Sequence, residues 1–176
     1  MLLGRLTLSL LVVGALWRVV RYLLRFPIWG DEAMLCLNFL ELDYGGLLRE
    51  LHYCQVAPLL FLWGELTSLR LLGGSELAMR LLPFLAGLGS LFLFWRLTRL
   101  TLRPLGATLA LGFLAVAVWP VSMGTFAKPY SFDLFMALVL LVPAAHWLRR
   151  PDRPRWLAVL TLLTPLALFG SYPAVF

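Results

Sequence analysis

The sequence predicts an all-α, polytopic transmembrane bundle of about five spans, with interfacial helices in its first external loop, as one domain over residues 1–176. Composition is the first indication, because 61% of the 176 residues are hydrophobic and only 14% are charged. Charge placement is the second. The net charge of +6 comes from fourteen Arg and one Lys that separate apolar runs instead of forming one basic patch, so no nucleic-acid partner is expected.

The first apolar segment covers Leu2 to Leu24. A cleaved signal peptide is the alternative to a retained anchor, but no small-x-small cleavage site follows the segment and further apolar runs come later. Arg18, Arg21 and Arg25 share one helix face at its outer end. These arginines either snorkel to lipid headgroups or form a cationic wall that attracts a lipid phosphate.

The segment from Phe26 to Glu76 carries seven acidic residues and two Arg, a balance typical of a non-cytoplasmic loop. Within it, Glu32 to Leu42 is predicted to be a short helix with Asp31 as its N-cap. Val56 to Leu72 is apolar but short for a span, so we expect an interfacial helix lying on the membrane.

The remaining apolar runs alternate with arginine-rich turns at Arg96–Arg103 and Arg149–Arg155, which predicts a cytoplasmic N-terminus and an external first loop. The four further predicted spans are Glu76–Trp95, Pro104–Ala127, Tyr130–Leu148 and Trp156–Phe176. Because the chain stops within an apolar run, we expect it to be the amino-terminal part of a longer protein.

Asp31 and Glu32 are adjacent carboxylates directly after the first predicted span, where they mark either a helix cap or a reaction site at the membrane surface. The sequence requires no cofactor, although the two acids could share a divalent cation with a substrate phosphate. Cys36 and Cys54 both lie in the external loop, where they either form a disulfide or remain unpaired thiols.

Three other polar residues lie near the predicted outer surface. Arg80 falls about one turn inside the second span, and we expect it to pair with Glu32 or Asp31, because an unpaired guanidinium there is costly. Lys128 and Tyr130 lie at the outer mouth of the third and fourth spans. Their position suits an anionic headgroup and also suits plain interfacial anchoring.

Four motifs in this order, WGDEAMLCLNFL, YGGLLRELHYCQVAPLLFLW, GGSELAMRLLPFLAG and AKPYSFDLF, carry a resemblance to a known family. The chain resembles the amino-terminal half of bacterial membrane glycosyltransferases of the GT-C superfamily, of the protein-mannosyltransferase and aminoarabinose-transferase type and including the RgtA/B/C/D-like group. Two features depart from that pattern: QVAPLL has a single proline where many relatives have two, and the carboxy-terminal spans of the family are absent.

The resemblance implies transfer of a sugar from a polyprenyl-phosphate donor to a lipid, glycan or protein acceptor on the periplasmic or extracellular face of the bacterial inner membrane. It implies that Asp31, with Glu32 beside it, is catalytic and acts as the general base. It also implies that the leaving phosphate is bound by cations and a hydroxyl near the outer surface. The candidates are Arg80, Lys128, Tyr130 and the Arg18 to Arg25 face.

A non-catalytic membrane protein, either a transporter subunit or a scaffold, would show the same apolar runs, and so would an inactive truncated glycosyltransferase. Transporters usually place ionisable residues near the midplane of repeated halves. Here the acids cluster at the predicted outer surface and no internal repeat is visible, so the sequence favours the enzyme.

Overall fold

A computed structural model describes residues 2–28 and 30–175. Over these residues the chain forms nine α-helices and no strand, in agreement with the predicted all-α class. The helices are α1 (Leu2–Leu23), α2 (Gly30–Glu41), α3 (Leu59–Leu72), α4 (Glu76–Met79), α5 (Leu81–Thr101), α6 (Pro104–Val116), α7 (Val118–Met123), α8 (Tyr130–Arg149) and α9 (Arg155–Gly170). Short 3₁₀ turns occur at Gly46–Leu48, His52–Cys54 and Tyr172–Val175.

Three of the helices in the described ranges are long and apolar enough to cross a membrane: α1, α5 and α8, with 22, 21 and 20 residues. At about 1.5 Å per residue, each is about 30 Å long, which matches the hydrocarbon core of a bilayer. The apolar helices α6 and α9 are shorter than these three. Phe176, the last residue of the fifth predicted span, lies outside the described residues.

The predicted span from Pro104 to Ala127 is not one continuous helix but contains two. The helix α6 ends at Val116, Ala117 is extended with φ −60° and ψ 131°, and α7 begins at Val118. Pro120 explains the break, because its ring lacks an N–H and would clash with the carbonyl four residues earlier in a continuous helix.

The long helices pack around α5, which contacts α8 on one side and α1 with α6 on the other, while α9 packs on α8. The helices α1 and α6 approach each other closely, since a Cβ added to Gly14 would lie 2.9 Å from Cβ of Ala115. Large apolar side chains on the outer faces of the bundle stay exposed, including Val12, Phe113 and Leu162. An apolar periphery of this kind is what a lipid environment requires.

The segment from Phe26 to Glu76, predicted to be the first external loop and here called the external segment, contributes to an apolar cluster. Its helix α2 supplies Leu35 and Phe39, and its helix α3 supplies Phe61 and Leu66. The helix α2 begins at Gly30, so Asp31 lies in its first turn and the predicted N-cap role is wrong. The second predicted span begins at Glu76, and so does α4: the Ser75 hydroxyl caps this helix by accepting a hydrogen bond from the Ala78 N–H at 3.2 Å.

Candidate functional site

A buried ion pair joins the external segment to the bundle. Nε of Arg80 lies 2.9 Å from Oε1 of Glu32, and Nη2 of Arg80 lies 3.0 Å from Oε2. The same Oε1 accepts a hydrogen bond of 2.8 Å from the backbone N–H of Ala127, and Nη1 of Arg80 donates to the carbonyl of Phe26. The predicted pairing of Arg80 with an acid of the first loop is therefore confirmed, and both side chains are buried.

The position of Arg80 follows from a break between α4 and α5. Arg80 has φ −114° and ψ 1°, outside the helical region, and Pro83 follows in the first turn of α5, where its missing N–H is tolerated. The break turns the chain at the outer end of the predicted second span. It directs the guanidinium towards α2.

Asp31 takes part in a closed triangle of polar contacts. Its Oδ2 lies 2.7 Å from Nζ of Lys128, and its Oδ1 accepts a hydrogen bond of 2.9 Å from Nε2 of Gln55. Nζ of Lys128 also donates to Oε1 of Gln55 at 2.6 Å. The hydrogen bonds from Lys128 and then Gln55 lower the pKa of Asp31, so this carboxylate is ionised at neutral pH.

A turn in the left-handed region positions Gln55. Tyr53 and Cys54, the two residues before it, have φ of 61° and 54°, which costs about 1 to 3 kcal/mol for each non-glycine residue. Asn38, fully buried in α2, holds the turn by accepting from His52 N–H at 2.7 Å and donating to the His52 carbonyl at 3.3 Å. Glu41 adds bonds to the side chains of His52 and Tyr53.

Gln55 and Asn38 were not singled out from the sequence. A signal for Asn38 was present, because it lies three residues after Leu35 on the apolar face of α2, where an amide is retained only if it is hydrogen-bonded. Gln55 carried no comparable signal, since its contacts depend on the conformation of the turn before it.

A cavity of about 500 Å³, here called the Asp31 cavity, opens beside these contacts. It brings together four of the five predicted site residues: Asp31, Glu32, Lys128 and Tyr130. Arg80 lies behind Glu32, outside the lining. The other walls of the Asp31 cavity are apolar and come from Trp119, Met123 and Phe126. The exposed fraction of the side chain is 67% for Asp31 and 10% for Lys128, so the acid is accessible from the cavity and the amine is mostly covered.

The three arginines at the end of α1 do not form one wall, which corrects one sequence interpretation. Arg18 points into the bundle, and its exposed fraction is only 3%, so it does not snorkel to the headgroups either. Arg21 stacks over the Phe26 ring at 4.6 Å, and Arg25 is exposed beyond the end of the helix.

Nothing in the described ranges assembles a metal site. No group of three or more His, Cys, Asp or Glu side chains in the described part of the chain could hold a metal ion. A cation shared by Asp31 and Glu32 does not fit the geometry, because the oxygens of Glu32 are taken by Arg80 and Ala127 and those of Asp31 by Lys128 and Gln55.

Two further acidic groups of the external segment have raised pKa values. Cys36 is buried and Cys54 is exposed, and both are free thiols, so the possible disulfide is not formed. Burial raises the pKa of Cys36 to about 12. Glu65 is fully buried in α3, and burial followed by the nearby charge of Glu32 raises its pKa well above the usual value. Neither group lines the Asp31 cavity, whose exposed acid is Asp31.

Comparison with known proteins identifies no relative: no protein-family model matches the chain, and neither the curated proteins nor the solved structures contain a match. Any function assigned to this chain therefore rests on its own residues.

Proposed function

We propose that this chain is part of a membrane glycosyltransferase of the GT-C type. It transfers a sugar from a polyprenyl-phosphate donor to a hydroxyl-bearing lipid, glycan or protein acceptor at the outer face of the bacterial inner membrane. The observation that carries the proposal is the exposed, ionised Asp31 at the polar end of a cavity whose other walls are apolar. A polar head attached to a long apolar tail is the kind of substrate that such a cavity suits.

In the proposed reaction, an acceptor hydroxyl oxygen attacks the anomeric carbon of the donor sugar. The bond between that carbon and the phosphate oxygen breaks, and the electron pair stays on the phosphate. The hydroxyl proton passes to a carboxylate oxygen of Asp31 and then leaves to solvent, which restores the base. The products are the glycoside, formed with inversion, and polyprenyl phosphate.

The supporting residues have different roles in this proposal. Lys128 offsets the charge of Asp31, and Tyr130 lines the same cavity. Glu32 and Arg80 are positioning residues, because their mutual ion pair holds α2 against the bundle. This division moves Glu32 and Arg80 away from the direct catalytic and phosphate-binding roles that the resemblance implied.

The test is transfer from a labelled polyprenyl-phosphate hexose in membranes expressing the open reading frame that encodes the chain. The variant Asp31→Asn keeps size and hydrogen-bonding capacity but removes the base, so we expect the transfer rate to fall about 100-fold to 10,000-fold. Release of labelled polyprenyl phosphate and its sugar product is measured at matched expression.

Asp43→Asn is the matched control. It makes the same exchange in the same external segment, at a residue outside the Asp31 cavity, and Asp43 contributes only a local hydrogen bond to the Gly46 N–H. Transfer by Asp43→Asn should equal that of the wild type. If Asp31→Asn transfers sugar at the wild-type rate as well, Asp31 is a structural partner of Lys128 and the catalytic assignment is wrong.

A further inference from the structure

A second, smaller cavity adjoins the Asp31 cavity deeper between the helices. Its volume is about 210 Å³, and it is lined by side chains and backbone of α1, α5, α7 and α8. We call it the Arg18 cavity after Arg18, which forms its wall together with Gly87 and Ser90. Trp119, Met123 and Tyr130 line both cavities, so the two share a wall.

Arg18 has donors that the protein itself does not use. Its Nη1 donates to the carbonyls of Gly14 at 3.0 Å and Ala115 at 3.3 Å, and its Nη2 donates to the carbonyl of Leu114 at 2.9 Å. A guanidinium carries five N–H donors, so these three bonds leave capacity for two more. Nε of Arg18 has no hydrogen-bond partner within the described ranges.

Ser90, the other polar side chain in this wall, also lacks a hydrogen-bond partner among the described residues. The exposed fraction is 1% for Ser90 and 3% for Arg18. Capping the carbonyls of Leu114 and Ala115 at the end of α6 explains two bonds of Arg18, and the third goes to the Gly14 carbonyl in its own helix. Capping does not explain why a second buried donor faces the same space unpaired, because such groups are usually satisfied.

Arg18 also lacks a counter-charge. The salt bridges in the described part of the chain use His52, Arg80 and Lys128 as their cations, and none involves Arg18. A buried, unpaired cation is strongly unfavourable unless an anion joins it. Arg18 lies five residues before the end of α1 at Leu23, about 8 Å along the helix axis, and that depth is close to lipid headgroups.

We propose that Arg18, with Ser90, binds the phosphate group of a membrane lipid in the Arg18 cavity. The cavity equals the liquid volume of about seven waters at about 30 Å³ each, which is enough for a phosphate group with part of its hydration. The exposed fraction is 74% for Trp119 and 49% for Tyr130, so two interfacial aromatic residues flank the route from the bilayer.

The shared wall identifies this lipid as the donor of the proposed reaction, a step that rests on the proposed function. Of the cations expected to bind the phosphate, Lys128 and Arg80 are engaged by carboxylates of their own chain, whereas Arg18 is not, within the described ranges. The donor phosphate is therefore assigned to Arg18, while Lys128 remains paired with Asp31.

Two variants test the site in different ways. Arg18→Gln removes the charge but also the support of α6. Gly87→Ala keeps the guanidinium and adds a methyl group 3.9 Å from Nε of Arg18 and 3.5 Å from Cα of Gly124, both ordinary contacts, so it obstructs the site without displacing the helices. Gly112→Ala is the matched control: its methyl group would meet Leu10 at 3.6 Å, in a helix pair away from the cavity.

The experiment measures binding of farnesyl phosphate to the purified full chain in maltoside detergent, which contains no phosphate, with farnesol and inorganic phosphate as separate arms. We expect farnesyl phosphate to bind, and both Arg18→Gln and Gly87→Ala to weaken it about tenfold or more, the effect of losing a charge-assisted hydrogen bond. Gly112→Ala should bind like the wild type. Farnesol should not compete.

The contrary outcomes are separate. Equal binding by the wild type and Gly87→Ala overturns the site, whether or not Arg18→Gln folds. Inorganic phosphate binding as tightly as farnesyl phosphate overturns the lipid as the source of the phosphate. Arg18-dependent binding without sugar transfer leaves this site standing and refutes the proposed function. Sugar transfer by Gly87→Ala with an unchanged donor KM supports the proposed function and refutes the Arg18 site.

Discussion

At the scale of residues, two neighbouring acids have opposite environments. Asp31 is largely exposed, whereas Glu32 is buried and bonded to Arg80 and the Ala127 N–H. Consecutive residues of a helix point about 100° apart, so the first turn of α2 can direct one carboxylate into the Asp31 cavity and the other into the bundle. In the proposed reaction the two adjacent acids therefore have separate roles: Asp31 is available to substrate, and Glu32 fixes the helix that presents it.

The contact between Lys128 and Asp31 makes a prediction about pH. The hydrogen bond from Lys128 is the main cause that lowers the pKa of Asp31, so Lys128→Gln should raise that pKa towards the ordinary value. Asp31 then takes up its proton at a higher pH, and the acid limb of the kcat/KM profile for sugar transfer should move upwards.

Arg49→Gln is the control for this profile, because it removes an exposed cation of the same external segment that does not line the Asp31 cavity. Its acid limb should coincide with that of the wild type. An acid limb that stays in place, or moves to lower pH, in Lys128→Gln would show that Asp31 is not the titrating base.

At the scale of elements, the contact between α1 and α6 predicts a stability difference between two glycines of one helix. A Cβ at Gly14 would lie 2.9 Å from Cβ and 3.1 Å from Cα of Ala115, so Gly14→Ala must push the helices apart and stretch the bonds of Arg18 to α6. Overpacking of this kind costs about 1 to 3 kcal/mol. Thermal unfolding of the purified chain in detergent measures the loss.

Gly4→Ala provides the comparison within α1, since a Cβ there meets nothing within 4 Å. It should unfold at or slightly above the wild-type temperature, because alanine favours helix over glycine by about 1 kcal/mol. If Gly14→Ala is as stable as Gly4→Ala, the two helices do not approach as closely as the structure has them.

The sequence predicted what depends on local patterns. The short helix α2, the helix start at Glu76 and the pairing of Arg80 with an acid of the first loop follow from composition, spacing and the cost of a lone buried charge. The sequence reading did not predict the break at Ala117. Hydropathy identifies an apolar run but carries no information about the steric effect of Pro120 within it.

Tertiary contacts account for the residues that were missed. The inward orientation of Arg18 depends on the carbonyls of α6, and the position of Gln55 depends on a left-handed turn held by Asn38. In both cases the partner lies on another element, so no pattern within one element could indicate the contact.

At the scale of the whole molecule, charge separates the two ends of the bundle. Asp31, Gln55 and Lys128 meet at one end, while a cavity lined by Arg149, Arg150, Arg153 and Arg155 lies beside His146 near the far end of α8. Arginine-rich turns stay in the cytoplasm. A reporter fused after Arg103 should therefore be cytoplasmic, and one fused after Tyr53 should be external.

Paired reporters active only in the cytoplasm or only outside it measure this orientation, and a fusion after Asp152 serves as an internal check because it should match the fusion after Arg103. A cytoplasmic signal after Tyr53 would place Asp31 in the compartment opposite to the one the proposed reaction needs.

The bonds of Glu32 also have a consequence for biosynthesis. Its carboxylate is fastened to Arg80, 48 residues later, and to Ala127, 95 residues later. Since a chain emerges from the ribosome amino-terminus first, Glu32 emerges before Arg80 and Ala127 do. Its carboxylate therefore lacks both partners until the segments that carry them have followed, and Ala127, the last of the three to emerge, completes the set of contacts.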